Sequence, residues 1–97
     1  MKIAIATLNE NLNSEISPQA GRAPYYLILE DGELKETIKN PFAVGGGGAG
    51  FGVAKMLADK NVELVIAGQF GGNMKGALEE RGVRYEEKSG MVEDCLK

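Results

Sequence analysis

The chain has no histidine and no tryptophan, and Cys95 is its only cysteine. Without imidazole it lacks the commonest general base and the commonest metal ligand of proteins. A lone thiol can form no internal disulfide, and with no imidazole to activate it Cys95 makes a poor nucleophile. One cysteine and no histidine cannot build a structural zinc site either. Long apolar runs are also missing. No stretch approaches the ~20 residues of a membrane span, and the chain starts in the strand-like Met1-Lys2-Ile3-Ala4-Ile5-Ala6 rather than in a signal peptide. Excess positive charge is absent: 11 Lys and Arg stand against 14 Asp and Glu, net −3, with the basic residues scattered. Such a surface cannot neutralise a phosphate backbone, so nucleic acid is not the expected partner. These absences predict a cytoplasmic protein with no membrane association, one that binds rather than catalyses with its own side chains.

What is present suits a packed α/β unit. With 43% hydrophobic and 26% charged residues, the 97-residue chain has the composition of an ordinary globular protein. It is expected to fold as one domain over residues 1–97, which at this size buries roughly 60 to 70% of its unfolded surface. Residues 3–7 form a short apolar run, the pattern of a central strand buried on both faces. Residues 8–24 follow, rich in Asn, Ser, Pro and Gly, as a loop far longer than the usual ~4 to 6 residues. Residues 25–30 and 33–39 read as strands joined at Asp31-Gly32, both of which tolerate positive φ, into a hairpin. Glu33, Lys35, Glu36 and Lys39 mark its second strand as an exposed edge. Asn40-Pro41 ends that strand.

Val53, Ala54 and Leu57 lie on one face of a helix expected over 49–60, with Asn61 as its stop. A strand over 62–67 and a turn through 68–72 lead to a helix carrying Met74, Ala77, Leu78 and Arg81 on one face and Gly82 as its cap. A last strand over 83–87 and a short helix capped by Ser89 complete the chain. The order β-β-β-α-β-α-β-α implies a mixed five-stranded sheet in the order 3-2-1-4-5, with the second strand antiparallel and helices on both faces. Strands 1, 3 and 4 then point the same way, so the loops after them gather at one edge, where open α/β sheets bind ligands.

Three segments meet at that edge. Gly45, Gly46, Gly47 and Gly48 stand in a row, although each glycine costs roughly 0.5 to 1 kcal/mol of backbone freedom relative to alanine. Such a run lets a backbone touch a ligand, and the N–H groups at the start of the following helix attract an anion; a plain flexible connector is the other reading. The run is not a phosphate-binding Walker loop, since no Lys-Ser/Thr pair follows it, and it does not follow the first strand of a dinucleotide-binding unit. Gln69, Gly71, Gly72 and Asn73 place amides and permissive backbone before the next helix, or form a tight turn with Asn73 as the cap. Arg22, at the end of the long loop, offers a fixed fork of donors to an anion, or a surface salt bridge. A metal-dependent nuclease would want carboxylates on the central strands, but these supply only Glu63, near a strand start and so at the wrong end.

Lys2-Ile3-Ala4-Ile5-Ala6, Gly21-Arg22-Ala23-Pro24-Tyr25-Tyr26, Asn40-Pro41, Gly46-Gly47-Gly48-Ala49-Gly50 and Val65-Ile66-Ala67-Gly68 followed by Gly71 occur in that order. Over nearly the whole chain this set resembles the dinitrogenase iron-molybdenum cofactor biosynthesis family, the group of NifX, NafY and the C-terminal domain of NifB. The resemblance implies a ribonuclease H-like three-layer fold, in agreement with the strand order above, without implying nuclease activity. It also implies a carrier whose cargo is a metal-sulfur cluster of the iron-molybdenum or molybdenum-copper type. Many relatives have His-Phe-Gly before the arginine where this sequence has Gln19-Ala20-Gly21, so a cluster here would be held without imidazole.

The expected function is therefore a small non-catalytic carrier or sensor for an anionic, metal-sulfur ligand. Its expected site is Gln19, Gly21, Arg22, Gly46, Gly47, Gly48, Gln69, Gly71, Gly72 and Asn73, with no metal-ligating side chain. The alternative is a protein-protein interaction module acting on a metallocofactor or iron-sulfur protein.

Overall fold

The computed structural model describes residues 1–44 and 48–95. Along the chain run β1 (Lys2–Thr7), β2 (Tyr25–Glu30), β3 (Glu33–Lys39), α1 (Ala49–Asp59), β4 (Leu64–Ala67), α2 (Gly72–Glu80), β5 (Arg84–Glu87) and α3 (Val92–Cys95). The five strands form one sheet in the order β3-β2-β1-β4-β5. β2 is antiparallel to both of its neighbours, whereas β4 is parallel to β1 and to β5. The expected mixed sheet and its order are what the chain forms.

Side-chain alternation explains why the sheet is buried on two sides. Ala4 and Ala6 of β1 join Tyr26, Ile28, Val65 and Ala67 on the face covered by Val53, Ala54 and Leu57 of α1 and by Met74, Ala77 and Leu78 of α2. Ile5, Leu27, Leu29 and Ile66 point to the other face, where Val92 of α3 and Ile16 of the long loop close over them. Helices thus lie on both faces, but one face carries two helices and the other a four-residue helix supplemented by loop. The long loop is strung across this thinner face: Ile16 bridges Thr7, Glu15 bridges Met91, and Val92 N–H donates to the Ser14 carbonyl at 3.0 Å.

Local signals set most boundaries. Asp31 and Gly32 both have positive φ, 52° and 84°, as a tight hairpin turn requires. Asn61 (φ 64°) and Gly82 (φ 71°) occupy left-handed positions just past α1 and α2 and end both helices. β3 is exposed except for a half-buried Ile38, as its charges implied. Two expected caps are corrected. α2 begins after Gly71, so Asn73 lies inside its first turn and makes no capping bond. α3 begins at Val92 rather than beside Ser89, because Met91 is first bridged to Glu15 and its carbonyl then accepts from Asp94 and Cys95.

Tyr26 is fully buried between the sheet and the two helices, and its hydroxyl donates to the Ala20 carbonyl. Burial holds its ionisation well above the ordinary tyrosine value of 10.0. A phenol whose folded pKa is raised contributes stability that is complete below the unfolded value and declines as pH climbs beyond it. Tyr26→Phe should therefore lower stability by about 1–2 kcal/mol at neutral pH, since the Ala20 carbonyl loses its donor. The same variant should lose stability less steeply above pH ~10. Urea melts at intervals between neutral and strongly alkaline pH test both parts; parallel alkaline limbs would show that Tyr26 does not titrate against folding.

Candidate functional site

Hydrogen bonds and close packing hold three segments together at the C-terminal end of β1 and β4. Ser17 N–H donates to the Ala6 carbonyl and Gly68 N–H to the Ser17 carbonyl, each at 2.8 Å, so residue 17 stands between the two strand ends like a short extra strand. Ala20 N–H then donates to the Gln69 carbonyl at 3.0 Å, and the Ser17 hydroxyl donates to the Gln19 carbonyl at 3.1 Å. Close approach requires glycine at 68: a Cβ there would stand 2.7 Å from Pro18 Cα. Behind this turn Phe70 is buried, its ring 5.2 Å from that of Tyr85, and its N–H donates to the Glu87 carboxylate at 3.1 Å.

α1 and α2 meet over the same edge. A Cβ on Gly50 would lie 3.0 Å from that of Met74, so glycine lets the first turns of the two helices touch. The N-cap residues are Gly48 and Gly71; neither helix has a side-chain cap bond or an acidic residue in its first turn. Their leading N–H groups, which have no partner within a helix, are therefore not satisfied by capping side chains. Both ends carry the positive end of a helix dipole.

These parts enclose a cleft of about 390 Å³ lined by Gln19 to Arg22, by Ala49 and Gly50, and by the segment from Gln69 to Met74. Of the residues expected at the site, it brings together Gln19, Gly21, Arg22, Gln69, Gly71, Gly72 and Asn73. Gly48 does not line it but precedes α1 with φ 86°, a left-handed value that favours glycine. Gly46 and Gly47 lie outside the described residues. Sequence reasoning missed Ala20, Ala49, Gly50, Phe70 and Met74. Of these, Gly50 and Ala49 were visible as the small-residue continuation of the glycine run; nothing local marked the others.

The cleft's chemistry is one-sided. Arg22 is half-buried and its Nη1 donates to the Phe42 carbonyl at 3.2 Å. Gln19, Gln69 and Asn73 add exposed amides. No carboxylate, thiol or imidazole is among the described lining residues, and their one sulfur is the thioether of buried Met74. Among the described residues no group of three or more acidic or cysteine side chains could hold a metal ion. Gly71 and Gly72 differ from the packed glycines: a Cβ at either would meet nothing within 4 Å, and Gly71 has ordinary extended angles.

The chain is similar to several known proteins over nearly its whole length. A family model described as dinitrogenase iron-molybdenum cofactor matches residues 1–97. An uncharacterised protein of Methanocaldococcus jannaschii, MJ0580, is 29% identical over 102 residues, covering all of this chain and 83% of that protein. The solution structure of a Thermotoga protein described as NifB-like, of the DUF35 family, superposes with a TM-score of 0.81 at 30% identity, covering 98% of this chain and 83% of the other. The orange protein of Desulfovibrio gigas, in its apo form, superposes with a TM-score of 0.89 over 98% of this chain and 82% of its own. At 21% identity that likeness speaks to fold alone.

Gly68→Ala should shift or unseat the 17–20 segment, because the clash is with main chain rather than with a yielding side-chain tip. We expect a loss of about 1–3 kcal/mol in denaturant melts and amide shift changes concentrated at residues 17–20 and 68–70. A variant with wild-type stability and an unchanged amide spectrum would contradict the packing described.

Proposed function

The chain belongs to the dinitrogenase iron-molybdenum cofactor family, and from that premise we propose that it is a small non-catalytic carrier or sensor of an anionic metal-sulfur ligand. The observation that carries this reading is the convergence on one cleft of two helix N-termini without side-chain caps, together with Arg22 and three side-chain amides. Anions bind where several N–H donors and a guanidinium point into the same space, and no carboxylate is among the described lining residues, the Glu87 carboxylate standing behind them on Phe70 N–H. The donor set suits the sulfide or oxo surface of a cluster, which accepts hydrogen bonds, rather than its metal ions, for which the described lining has neither imidazole nor thiolate.

Gly71 and Gly72 support the same reading. Neither packing nor φ requires glycine at these positions, and at Gly72, inside the first turn of α2, glycine costs stability relative to alanine, whereas at the N-cap position of Gly71 it does not. Leaving them bare keeps the backbone N–H groups of the α2 N-terminus open to contact. Gln19, Gly21, Arg22, Gln69 and Asn73 form the rest of the proposed contact surface, and Gly48 precedes Ala49 of its lining. A second reading, a module that docks on a metalloprotein, draws on Val44 and Phe51, apolar residues 89% and 54% exposed on either side of the glycine run. In a carrier the two readings are compatible, since cargo must be handed over.

Anaerobic titration with tetrathiomolybdate, with and without copper, followed by gel filtration and metal analysis tests the proposal. Stoichiometric co-elution is expected. Arg22→Met should weaken binding by about 10- to 150-fold, the value of a charged hydrogen bond of roughly 1.5–3 kcal/mol. Replacing Gly72 with alanine should leave stability equal or slightly higher while weakening binding. Wild-type affinity in both variants would remove the cleft from consideration as the anion site.

A further inference from the structure

We propose that Asn40 is a positioning residue of the anion site, holding Arg22 in the orientation the cleft requires; this rests on the anion-binding reading above. Asn40 follows β3, is 5% exposed and does not itself line the cleft. Both of its main-chain groups and both ends of its side-chain amide are engaged. Its N–H donates to the Pro24 carbonyl at 3.0 Å and its carbonyl accepts from Ala43 N–H at 3.2 Å. Its Nδ2 donates to the Ala23 carbonyl at 2.8 Å and to the Gly21 carbonyl at 3.2 Å. Its Oδ1 accepts from Phe42 N–H at 2.9 Å.

The geometry closes a circuit around Arg22. The two carbonyls bound by Nδ2 belong to the residues on either side of Arg22, and Phe42, bound by Oδ1, supplies the carbonyl that accepts from Arg22 Nη1. One buried amide thus sets both the main chain from which the arginine springs and the acceptor that catches its tip. Phe42 is itself seated on α1: a Cβ on Gly52 would fall 2.4 Å from its ring. The circuit therefore ties Arg22 to the helix whose N-terminus borders the cleft. An arginine held this way before binding loses less rotamer freedom when the anion arrives, and that saving appears as affinity. A role confined to stability would lower the melting temperature and leave Arg22 as effective as before.

The test compares Asn40→Ala, Arg22→Met and the double variant, each checked for folding by circular dichroism and titrated with tetrathiomolybdate. Asn40→Ala should weaken binding by about tenfold or more, and adding Arg22→Met to it should cost less than about threefold further, because coupled residues are not additive. Asn40→Ser, whose hydroxyl can donate to one carbonyl and accept from Phe42, should fall between the wild type and Asn40→Ala, and it replaces the alanine variant if that one does not fold. A folded Asn40 variant with wild-type affinity, or losses that simply multiply, overturns the proposal. If the wild type itself binds no tetrathiomolybdate, the anion reading fails, and the arginine side-chain signals in nitrogen-proton NMR decide the positioning claim without any ligand. Restricted guanidinium rotation in the wild type that is lost in Asn40→Ser supports it; identical signals in the two proteins overturn it.

Discussion

The parallel pairing of β1 with β4 is the constraint from which the rest of the arrangement follows. Ile3, Ala4 and Ile5 lie opposite Leu64, Val65 and Ile66, so both strands run out at the same edge of the sheet. A parallel neighbour cannot be reached by a tight turn, and the chain between the two strands contains an entire hairpin and α1. β2 enters antiparallel on the other side of β1, which brings β3 back parallel to β1 and sends the start of α1 to that same edge. Three chain segments distant in sequence are thereby delivered to one place. Ser17 consolidates the delivery, since its N–H and carbonyl join the ends of β1 and β4 directly.

Glycine is plentiful in this chain, and the structure divides it by physical cause. Gly50, Gly52 and Gly68 are places of close approach, where a single added carbon would meet Met74, the Phe42 ring or the Pro18 backbone. Gly32, Gly48, Gly82 and Gly90 hold positive φ. Gly71 and Gly72 answer to neither cause, and Gly76, in the middle of α2, shares that freedom away from the cleft. A bare position is therefore informative only in combination with its place: at 71 and 72 the missing side chains border the cleft, whereas at 76 a lone helical glycine borders nothing that needs access.

Local chemistry made much of the fold legible in advance. The Asp31-Gly32 turn, the charged edge strand, the helical faces of Val53, Ala54 and Leu57 and of Met74, Ala77 and Leu78, and the stops at Asn61 and Gly82 all follow from residue type and short-range spacing. The chain direction of the strands then placed three loops at one edge without any side-chain information. What stayed hidden depends on partners far along the chain. Phe70 sits in a glycine-rich turn with nothing local to mark it, yet it is buried against Tyr85 and its N–H is bonded to Glu87. Asn73 and Ser89 have the residue type of caps, yet each helix start was set elsewhere, by Gly71 in one case and by the bridge between Glu15 and Met91 in the other. Asn40 read only as a strand breaker, because the carbonyls it binds lie 17 and 19 residues away.

In the proposed anion-carrier reading, an acidic host is a smaller paradox than the net charge of −3 suggests. Charges separated by more than about 8 Å are largely screened at physiological ionic strength, whereas donors in hydrogen-bond contact act undiminished. The described salt bridges lie away from the cleft lining, mostly on solvent-facing strands and on α1, and Glu87, the carboxylate bonded to the cleft's turn, is engaged with Phe70 N–H. In the carrier reading, the lack of coordinating side chains is then an advantage rather than a defect. A ligand held by hydrogen bonds alone leaves by breaking interactions each worth roughly 1–3 kcal/mol in water, with no metal-ligand bond to exchange. Such a site can protect a cluster in transit and still release it to a receiver that offers thiolate or imidazole ligands of its own.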